Sequence, residues 1–283
     1  MDMTAPPGVQ GRTIPLHTPD YRVTPGTQPR LEHIPSRAGE NTWKGPAKKM
    51  RADLRTHLVN LHNILYAEGG RGILVVLQAM DACGKDSTIR RCFGMLNPQR
   101  CRTHSFKQPD RREKKHDFLW RIHYRAPARG TIGIFNRSHY ESVLVEKVKN
   151  LAPPEIIEQR YEHINAFEAM LADEGTEVIK FYLHASKAYQ KERLERRLRR
   201  PDKRWKFNKN DLAERKWWDD YMRVYEETFR RCSSTHAPWY IIPAERRWFR
   251  DAAILKILVE RIEALGLELP RPDLDLQSIT IPD

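Results

Sequence analysis

Cysteine, long apolar segments and signal-like segments are scarce or missing in this chain of 283 residues. The four cysteines form no Cys-x-x-Cys pair and show no zinc spacing, which suits reduced thiols and predicts a cytoplasmic protein. The longest apolar run, residues 72–77, is far shorter than the roughly 20 residues that a membrane-spanning helix needs. Residues 1–10 hold no apolar segment, so we expect neither a secretory signal nor a membrane partner.

Several catalytic motifs are absent as well. The sequence contains no His-Glu-x-x-His and no Gly-x-Ser-x-Gly, so nothing supports a zinc hydrolase or a serine nucleophile. It also contains no internal repeat and no low-complexity tract. Hydrophobic residues make up 40% and charged residues 31%, a balance that excludes a fully disordered or collagen-like chain.

Positive charge, in contrast, is abundant. The chain has 50 Lys and Arg against 37 Asp and Glu, a formal net charge of +13. Such a balance indicates a polyanionic partner. Charge alone leaves nucleic acid, a membrane surface, nucleotides and inorganic polyphosphate open.

The order of predicted elements favours one α/β domain behind an N-terminal arm. Residues 1–46 hold eight of the 19 prolines and few apolar residues, so we expect an extended arm that lies on the surface or stays mobile. In residues 47–283, strands alternate with helices, which predicts a parallel sheet with helices on both faces. The predicted strands are residues 72–78, 102–106, 131–135, 177–183 and 239–242. The predicted helices begin at residue 47 and at about residues 86, 113 and 154, with a last helix that ends near residue 266.

One interval does not fit this alternation. Residues 187–216 hold 13 Lys and Arg against five Asp and Glu, a net charge of +8, in what reads as a helical hairpin broken by a proline. A solvated helix with pairs such as Glu192 and Arg196 would account for part of this charge. Trp205 and Phe207 alternate with basic residues, which favours instead a mobile clamp on a chain of phosphates.

The first candidate phosphate site is the junction at residues 78–88 between a predicted buried strand and a helix. Backbone N–H groups around Gly84 would cradle phosphate oxygens, and Lys85 would reach between two phosphates. The general P-loop pattern, Gly-x4-Gly-Lys-Ser/Thr, is incomplete because Ala79 replaces the first glycine and Asp86 follows the lysine.

Asp81 within this junction is unusual, because a carboxylate beside phosphates is repelled by them unless a cation lies between. This makes Asp81 a candidate Mg²⁺ ligand. The alternative is a carboxylate that caps the start of the following helix.

The second junction, residues 134–141, follows another predicted buried strand. Ligands of open parallel sheets bind at the carboxyl ends of the strands, so we expect Arg137 in the same crevice as Lys85. An arginine there can hold a nucleotide phosphate with two hydrogen bonds. His139 is as consistent with a structural role as with a catalytic one, and we assign it no proton transfer.

Residues 116–121 form a third group of candidates. Asp117 and Arg121 stand four residues apart and form either a plain ion pair or part of a nucleotide pocket. We expect Phe118 and Trp120 to belong to the hydrophobic core rather than to stack on a ligand.

These segments together resemble the polyphosphate kinase 2 family. The similar motifs are residues 81–85 (Asp-Ala-Cys-Gly-Lys), 116–121 (His-Asp-Phe-Leu-Trp-Arg), 135–141 (Phe-Asn-Arg-Ser-His-Tyr-Glu), 205–207 (Trp-Lys-Phe), 214–221 (Glu-Arg-Lys-Trp-Trp-Asp-Asp-Tyr) and 237–243 (Ala-Pro-Trp-Tyr-Ile-Ile-Pro). They occur in the family's order and spacing over about residues 47–266. The resemblance implies a P-loop kinase with a basic helical lid at about residues 187–220. Such a kinase uses Mg²⁺ to move the terminal phosphate of inorganic polyphosphate onto a nucleotide, or the reverse.

The resemblance also implies roles for individual residues. Asp81 and Lys85 fall in the Walker A loop, with Asp81 as the expected metal ligand, and Asn136 and Arg137 fall in the Walker B region. The residues expected to act on the reacting phosphates are Asp81, Lys85, Arg137, Arg199 and Arg200. The residues expected to bind the nucleotide are Asp117, Arg121, Asn136, Arg137, Tyr140 and Glu141. The residues expected to bind polyphosphate are Gly84, Lys85, Asp86, Ser87, Thr88, Lys203, Arg204 and Lys206.

The acceptor is suggested by residues 136–141. Asn136 followed by Ser138 to Glu141 is similar to the members that act on both nucleoside mono- and diphosphates, whereas diphosphate-only members usually carry Asp-Arg-Ser-Trp there. The sequence therefore predicts that polyphosphate phosphorylates AMP to ADP and ADP to ATP. Two positions depart from the family: Cys83 replaces a common Ala or Ser and adds an oxidisable thiol, and Ser87 replaces a frequent Gly.

Three alternatives stay open. The first two are an ATP-dependent nucleoside monophosphate kinase and a polyphosphate kinase that uses diphosphates only. The third is a basic nucleic-acid-binding protein with Trp205 and Phe207 as stacking residues, which we disfavour because no recognised binding motif is present. The family often forms dimers or tetramers, so a homodimer or homotetramer is expected.

Overall fold

Five parallel strands form the central sheet of the computed structural model, which describes residues 16–39, 43–272, 279 and 281. The strands are β1 (Gly72–Gln78), β2 (Cys101–Ser105), β3 (Ile132–Asn136), β4 (Thr176–His184) and β5 (Trp239–Pro243). Their order across the sheet is β2-β3-β1-β4-β5. Each predicted strand is confirmed to within one or two residues at either end.

The most buried strand is β1, which lies at the centre. All seven of its residues are buried, and Val75 pairs with Ile134 of β3 on one side and Ile179 of β4 on the other. A strand covered on both faces needs a continuous apolar sequence, which is why this segment lacks alternation. Each fully buried aliphatic side chain of this kind stabilises the fold by about 1.5–3 kcal/mol.

Helices cover both faces of the sheet, as the sequence predicts. The helices are α1 (Lys44–Glu68), α2 (Lys85–Cys92), α3 (Trp120–His123), α4 (Glu141–Val148), α5 (Pro154–Asp173), α6 (Lys187–Arg199), α7 (Lys209–Glu214), α8 (Trp218–Cys232) and α9 (Arg247–Glu263). One face carries α1, α2 and α9, which pack together, and the other carries α4, α5 and α8. None of the helices in the described part of the chain is long and apolar enough to cross a membrane.

The helix predicted over residues 113–124 is wrong in its extent. The structure has a 3-10 turn at Glu113–Lys115 and only the short helix α3 further on. Between them the Asp117 carboxylate accepts a hydrogen bond from the backbone N–H of Leu119, at 2.9 Å. This side-chain bond competes with the helical pattern, since Asp readily bonds the backbone two residues ahead.

The basic hairpin consists of α6, a 3-10 turn at Pro201–Lys206, and α7. As predicted, the first helix ends just before Pro201, because a proline disfavours helical backbone in the residue before it. The helix α8 then returns the chain to the body of the domain. Eight of its side chains are buried, among them Tyr225 and Phe229.

The described part of the N-terminal arm, residues 16–39, lies on the edge of the sheet. Leu16, Val23 and Leu31 are buried, and the Val23 N–H donates to the Trp239 carbonyl of β5 at 2.9 Å. Arg22 and Tyr240 form an antiparallel bridge. Residues 1–15 and 40–42, which the sequence also places in the arm, lie outside the described residues.

Candidate active site

The loop between β1 and α2 turns sharply before the helix begins at Lys85. Two of its residues have left-handed backbone, Ala82 with φ 63° and Gly84 with φ 111°. A Cβ atom on Gly84 would collide with the guanidinium of Arg250, so only glycine fits this position. The first N–H groups of α2 have no carbonyl partner within the helix and stand at the positive end of its dipole, which is an arrangement that binds anions.

Lys85 lies almost buried beneath this loop, with 9% of its surface exposed. Its Nζ donates to the Ala79 carbonyl at 2.6 Å and lies 3.8 Å from Oδ1 of Asp81. Burial lowers the pKa of the Lys85 ammonium, and the Asp81 carboxylate opposes that change. The ammonium therefore lies at the P-loop, where a phosphate chain would need it.

Arg137 meets Asp81 from the neighbouring strand. The two strands β3 and β1 pair directly, so the residues after their carboxyl ends share one crevice. Arg137, with φ 62°, lies 2.6 Å from Oδ1 of Asp81 and 3.3 Å from Oε2 of Glu141. The sequence prediction that Arg137 and Lys85 lie in the same crevice is confirmed.

Asp81 is ionised in this setting. Burial alone would raise the pKa of its carboxyl, but the charges of Lys85 and Arg137 outweigh it and hold the pKa below its ordinary value. Mg²⁺ typically takes one or two protein carboxylates and completes its shell with water and phosphate oxygens. The Asp81 carboxylate fits such a site. Among the described residues, no cluster of three or more His, Cys, Asp and Glu side chains is arranged to hold a metal ion.

A second polar group lies beside the start of α2. The Asn136 amide donates to Oδ1 of Asp86 at 3.0 Å and to the Ser105 hydroxyl at 3.3 Å. Lys206 of the basic hairpin lies 3.8 Å from the other oxygen of Asp86. The hairpin thus reaches the helix that follows the P-loop.

Gln190 anchors α6 to the P-loop, a contact that sequence reasoning missed. Its side chain is fully buried and donates to the Asp81 carbonyl at 2.8 Å, while Arg215 donates to its amide oxygen, also at 2.8 Å. The signal in the sequence was an uncharged polar residue within a run of charged ones.

Arg250 is a second residue that sequence reasoning missed. It is buried at the P-loop, 3.2 Å from the Ser87 hydroxyl and 2.9 Å from Asp251.

Four basic residues of the hairpin that the sequence assigned to phosphate binding make their contacts within the hairpin itself. Arg199 and Arg200 are exposed, and Arg200 pairs with Asp202 at 2.8 Å. Lys203 lies 3.3 Å from the same carboxylate, and Arg204 donates to the Leu198 carbonyl at 3.0 Å. The roles assigned to these four residues stay predictions.

Tyr140 does not face the crevice. It is fully buried, and its hydroxyl donates to Glu168 at 2.8 Å and accepts from Lys180 at 2.9 Å. A side chain in that position cannot contact a nucleotide, so the prediction that Tyr140 binds the nucleotide is wrong.

The hydroxyls of Ser87 and Thr88 both donate to the Gly84 carbonyl, at 2.9 and 3.1 Å. These two side chains therefore help to shape the loop.

His139 has the structural role that the sequence left open. It is buried and lies 3.0 Å from Glu168. Burial lowers the pKa of His139 despite the neighbouring carboxylate. The residues that follow Arg137 therefore form a buried polar support for the crevice.

The ion pair considered for Asp117 and Arg121 is absent, because each of them has another partner. Arg121 pairs with Glu113 at 2.9 Å and donates to the Lys107 carbonyl at 2.9 Å. It also lines a cavity of about 660 Å³ beyond the carboxyl end of β2.

Trp120 lines the same cavity and stacks on His116 with ring centres 4.1 Å apart. The prediction that Trp120 belongs to the core is therefore wrong. Phe118, in contrast, does pack against the core, as predicted.

The expectation of an oxidisable Cys83 is also wrong. The side chain is buried, and burial raises the pKa of the thiol to about 12. Oxidation starts from the thiolate and needs access to the sulfur, and this position provides neither.

Comparison with known proteins agrees with this geometry. A model of the family described as Polyphosphate kinase 2 (PPK2) matches residues 43–269. An AMP/ADP-polyphosphate phosphotransferase of Meiothermus ruber is 49% identical over 263 residues, which is 92% of this chain and 98% of that protein. An ADP-polyphosphate phosphotransferase of Rhodopseudomonas palustris is 39% identical over 274 residues, with 90% and 93% covered. The crystal structure of a polyphosphate kinase 2 from Arthrobacter aurescens TC1 superposes with a TM-score of 0.88 at 38% identity, covering 92% of this chain and 93% of that one.

Proposed function

Because the chain belongs to the polyphosphate kinase 2 family, we propose that it transfers the terminal phosphate of inorganic polyphosphate to AMP and to ADP. The products are ADP and ATP, and the reaction is reversible. The observation that carries the proposal is the meeting of Lys85, Asp81 and Arg137 at the ends of two adjacent strands. The name of the Meiothermus ruber relative supports both acceptors.

The chemistry needs positioning and charge neutralisation more than proton transfer. An acceptor phosphate oxygen is already deprotonated at neutral pH, so no strong general base is required. Lys85, the first N–H groups of α2 and Arg137 supply fixed positive charge around the reacting phosphoryl group. Because these groups are already in place, little reorganisation is needed during the reaction.

A divalent metal, which we propose is Mg²⁺, would offset phosphate charge when it is bound. Asp81 is the residue we propose to hold it, since its carboxylate is ionised and lies at the crevice. Arg137 would then exchange part of its pairing with Asp81 for the nucleotide phosphate. Glu141 remains as its second partner, 3.3 Å away.

The nucleotide is proposed to bind on the β3 side of the crevice. Asn136, Arg137 and Glu141 lie there. Arg121 stands at the adjacent cavity, and Asp117 fixes the turn before it. Asn136 in place of an aspartate removes one negative charge near the acceptor phosphates, so a bound metal would depend on Asp81, the phosphates and water.

Polyphosphate is proposed to lie between the P-loop and the basic hairpin. Gly84, Asp86 and Ser87 would present backbone N–H groups to it, whereas the Thr88 N–H donates to the Gly84 carbonyl at 3.0 Å and supports the loop. Arg199, Arg200, Lys203, Arg204 and Lys206 would close over the chain as a lid. Closure would exclude water and so limit hydrolysis of the donor.

The test is phosphate transfer with long-chain polyphosphate, Mg²⁺ and no ATP, with AMP and then ADP as acceptor and the products separated by ion exchange. ADP and ATP formed from AMP would support the donor and both acceptors. ATP from ADP alone would restrict the activity to diphosphates. No product from either, with activity restored when ATP is the donor for AMP, would indicate a nucleoside monophosphate kinase instead.

The assembly and location are part of the proposal. We expect a homodimer or homotetramer in the cytoplasm. Light scattering after size-exclusion chromatography tests the assembly, and a mass of one chain, 33.3 kDa, would contradict it.

A further inference from the structure

The basic hairpin meets the P-loop at a buried, uncharged side chain. The buried residues of α6 are Gln190 and Leu194, and Gln190 is fully buried. The Gln190 amide has two partners: its N–H donates to the Asp81 carbonyl at 2.8 Å, and its oxygen accepts from Arg215 at 2.8 Å. A single amide therefore lies between the loop that carries Asp81 and the residue at which the hairpin ends.

Arg215 closes the base of the hairpin. It follows directly after α7, at the far end of the hairpin, yet its guanidinium donates to the Lys187 carbonyl at 2.9 Å and to the Gln190 amide oxygen, both at the near end. The residue before it, Glu214, accepts a hydrogen bond from the Tyr221 hydroxyl of α8 at 2.8 Å. The two ends of the hairpin are thus linked to each other and to α8.

The Asp81 carbonyl belongs to a strained part of the P-loop. Ala82, the next residue, has left-handed backbone with φ 63°, a conformation that persists in a non-glycine residue only when surrounding groups hold it. Gln190 is such a group, and the Cys83 thiol donates to the same carbonyl oxygen at 3.5 Å. Because the carbonyl and the carboxylate belong to one residue, fixing this peptide also fixes the direction in which the Asp81 carboxylate enters the crevice.

The outer part of the hairpin is braced and lies beside the same crevice. Arg197 of α6 pairs with Asp211 of α7 at 2.9 Å, which joins the two arms of the hairpin a second time. Lys206, in the turn between the arms, lies 3.8 Å from the Asp86 carboxylate at the start of α2. Since the hairpin is held as one piece, a displacement of its tip acts on its base, where Gln190 meets the P-loop.

We propose that Gln190 is a positioning residue that couples the position of the basic hairpin to the orientation of Asp81. The inference rests on the proposed function, because the reaction in question is phosphate transfer from polyphosphate. Gln190 is fully buried, so it acts through the Asp81 peptide and through Arg215 rather than through contact with substrate. Coupling between two sites is reciprocal, so a ligand bound at the Asp81 end of the crevice also biases the hairpin.

Substitutions at Gln190 and Arg215 separate the two hydrogen bonds. Gln190→Glu keeps an oxygen for Arg215 but loses the N–H that donates to the Asp81 carbonyl. Gln190→Met keeps the length of the side chain and loses both bonds, whereas Arg215→Met leaves the bond to Asp81 in place. The matched control is Gln159→Glu, the same chemical change at an exposed position of α5.

Steady-state kinetics with long-chain polyphosphate, ADP and saturating Mg²⁺ gives the first readout. We expect kcat of both Gln190 variants to fall by about 10- to 100-fold, the usual effect of removing a partner that orients a metal-binding group. KM for each substrate should stay near wild type, because the groups that contact substrate are unchanged. Arg215→Met should show a smaller loss of kcat, and Gln159→Glu none. Urea unfolding establishes that each variant is folded under the assay conditions.

Trypsin cleavage of the hairpin gives a second readout that does not depend on turnover. Arg199, Lys203 and Arg204 are exposed, and the rate of cleavage after them reports how often the hairpin opens. We expect Mg²⁺ and ADP, without polyphosphate, to slow this cleavage in the wild type by about fivefold or more. Both Gln190 variants should lose this protection, whereas Gln159→Glu should retain it.

Three results would overturn the inference. Near-normal kcat in folded Gln190 variants would show that the contact only anchors a helix. Protection by Mg²⁺ and ADP that persists in these variants, or that is absent in the wild type, would show that Gln190 does not link the crevice to the hairpin. Arg215→Met, at a half-buried position, decides the same question where a Gln190 variant does not fold. If the wild type transfers no phosphate from polyphosphate, the proposed function fails, and the trypsin experiment still tests the coupling.

Discussion

At the scale of single residues, Asp81 links the two halves of the crevice, because its carboxylate pairs with Lys85 from the P-loop and Arg137 from the loop after β3. The sequence supported this meeting of residues, since both segments follow buried strands of one parallel sheet. It gave no reason to expect that Asp81 would hold both cations at once. That depends on the left-handed backbone of Ala82 and Arg137, which nothing in their residue types requires.

Replacing either cation should therefore reduce turnover strongly. We expect Lys85→Ala and Arg137→Ala each to lower kcat with polyphosphate by about 10²- to 10³-fold, the effect of removing one preorganised electrostatic contact. Steady-state kinetics with ADP as acceptor measures this. Cys83→Ala serves as the control and should stay near wild type, because the Cys83 side chain is buried within the loop and is not exposed to the crevice. Near-normal transfer by Lys85→Ala would contradict the P-loop assignment.

Gly84 offers a sharper test of the loop geometry. Gly84→Ala introduces a Cβ at φ 111° that meets Arg250, so we expect a loss of activity of at least about 10²-fold and a loss of about 1–3 kcal/mol in stability. Gly45→Ala is the matched control: that glycine lies in α1, has no atom within 4 Å of its ideal Cβ, and should be neutral or slightly stabilising. Equal behaviour of the two variants in kinetics and urea unfolding would show that the loop tolerates a side chain.

At the scale of elements, the strands were predicted well and the connections were not. Continuous apolar runs identify β1 and β4 because both are buried on two faces. The helix α4 was missed because it is only eight residues long and directly follows a functional motif. The segment around α3 was misjudged because its polar residues bond the backbone locally instead of continuing a helix.

A buried ion pair joins two of these elements. Lys180 of β4 pairs with Glu168 of α5, both fully buried, and also donates to the Tyr140 hydroxyl at 2.9 Å and the Cys232 carbonyl at 2.6 Å. Nothing in the sequence marked Lys180 as buried, since a lysine within a strand normally faces water. The pair positions Tyr140 and His139, and thereby the chain that leads from Arg137 into α4.

Replacing one member of this ion pair should lower the free energy of unfolding more than replacing both members. Lys180→Met or Glu168→Leu alone leaves an unpaired buried charge and should lower the free energy of unfolding by about 3–5 kcal/mol. The double variant should recover much of that loss, because two apolar side chains replace two charges. Urea unfolding of the two single variants and the double variant measures the coupling. Additive losses in the double variant would show that the two side chains act independently.

At the scale of the whole molecule, three buried histidines make stability depend on pH. Burial lowers the pKa of His62, His139 and His184, each of which also has one hydrogen-bond partner. In the unfolded chain a histidine titrates near about 6.5. Below that pH the unfolded state binds more protons than the folded state, so stability falls as pH falls.

We therefore expect the urea midpoint to be nearly constant above about pH 7.5 and to decrease between about pH 7 and pH 5.5. Circular dichroism at a series of pH values measures this. His184→Asn, which removes one of the three groups, should flatten the decrease relative to wild type at the same ionic strength. A midpoint that rises towards pH 5.5 would mean that these histidines are protonated in the folded protein.

The antiparallel bridge between Arg22 and Tyr240 has a consequence for how the chain is made. Translation proceeds from the N-terminus, so residues 16–39 leave the ribosome long before β5, which completes the sheet. When β5 emerges, the segment that hydrogen-bonds its outer edge through Val23 is already synthesised and tethered to the same chain. An uncovered edge strand is a template for pairing between molecules. The arm thus shortens the interval in which neighbouring nascent chains on one polysome can pair through β5.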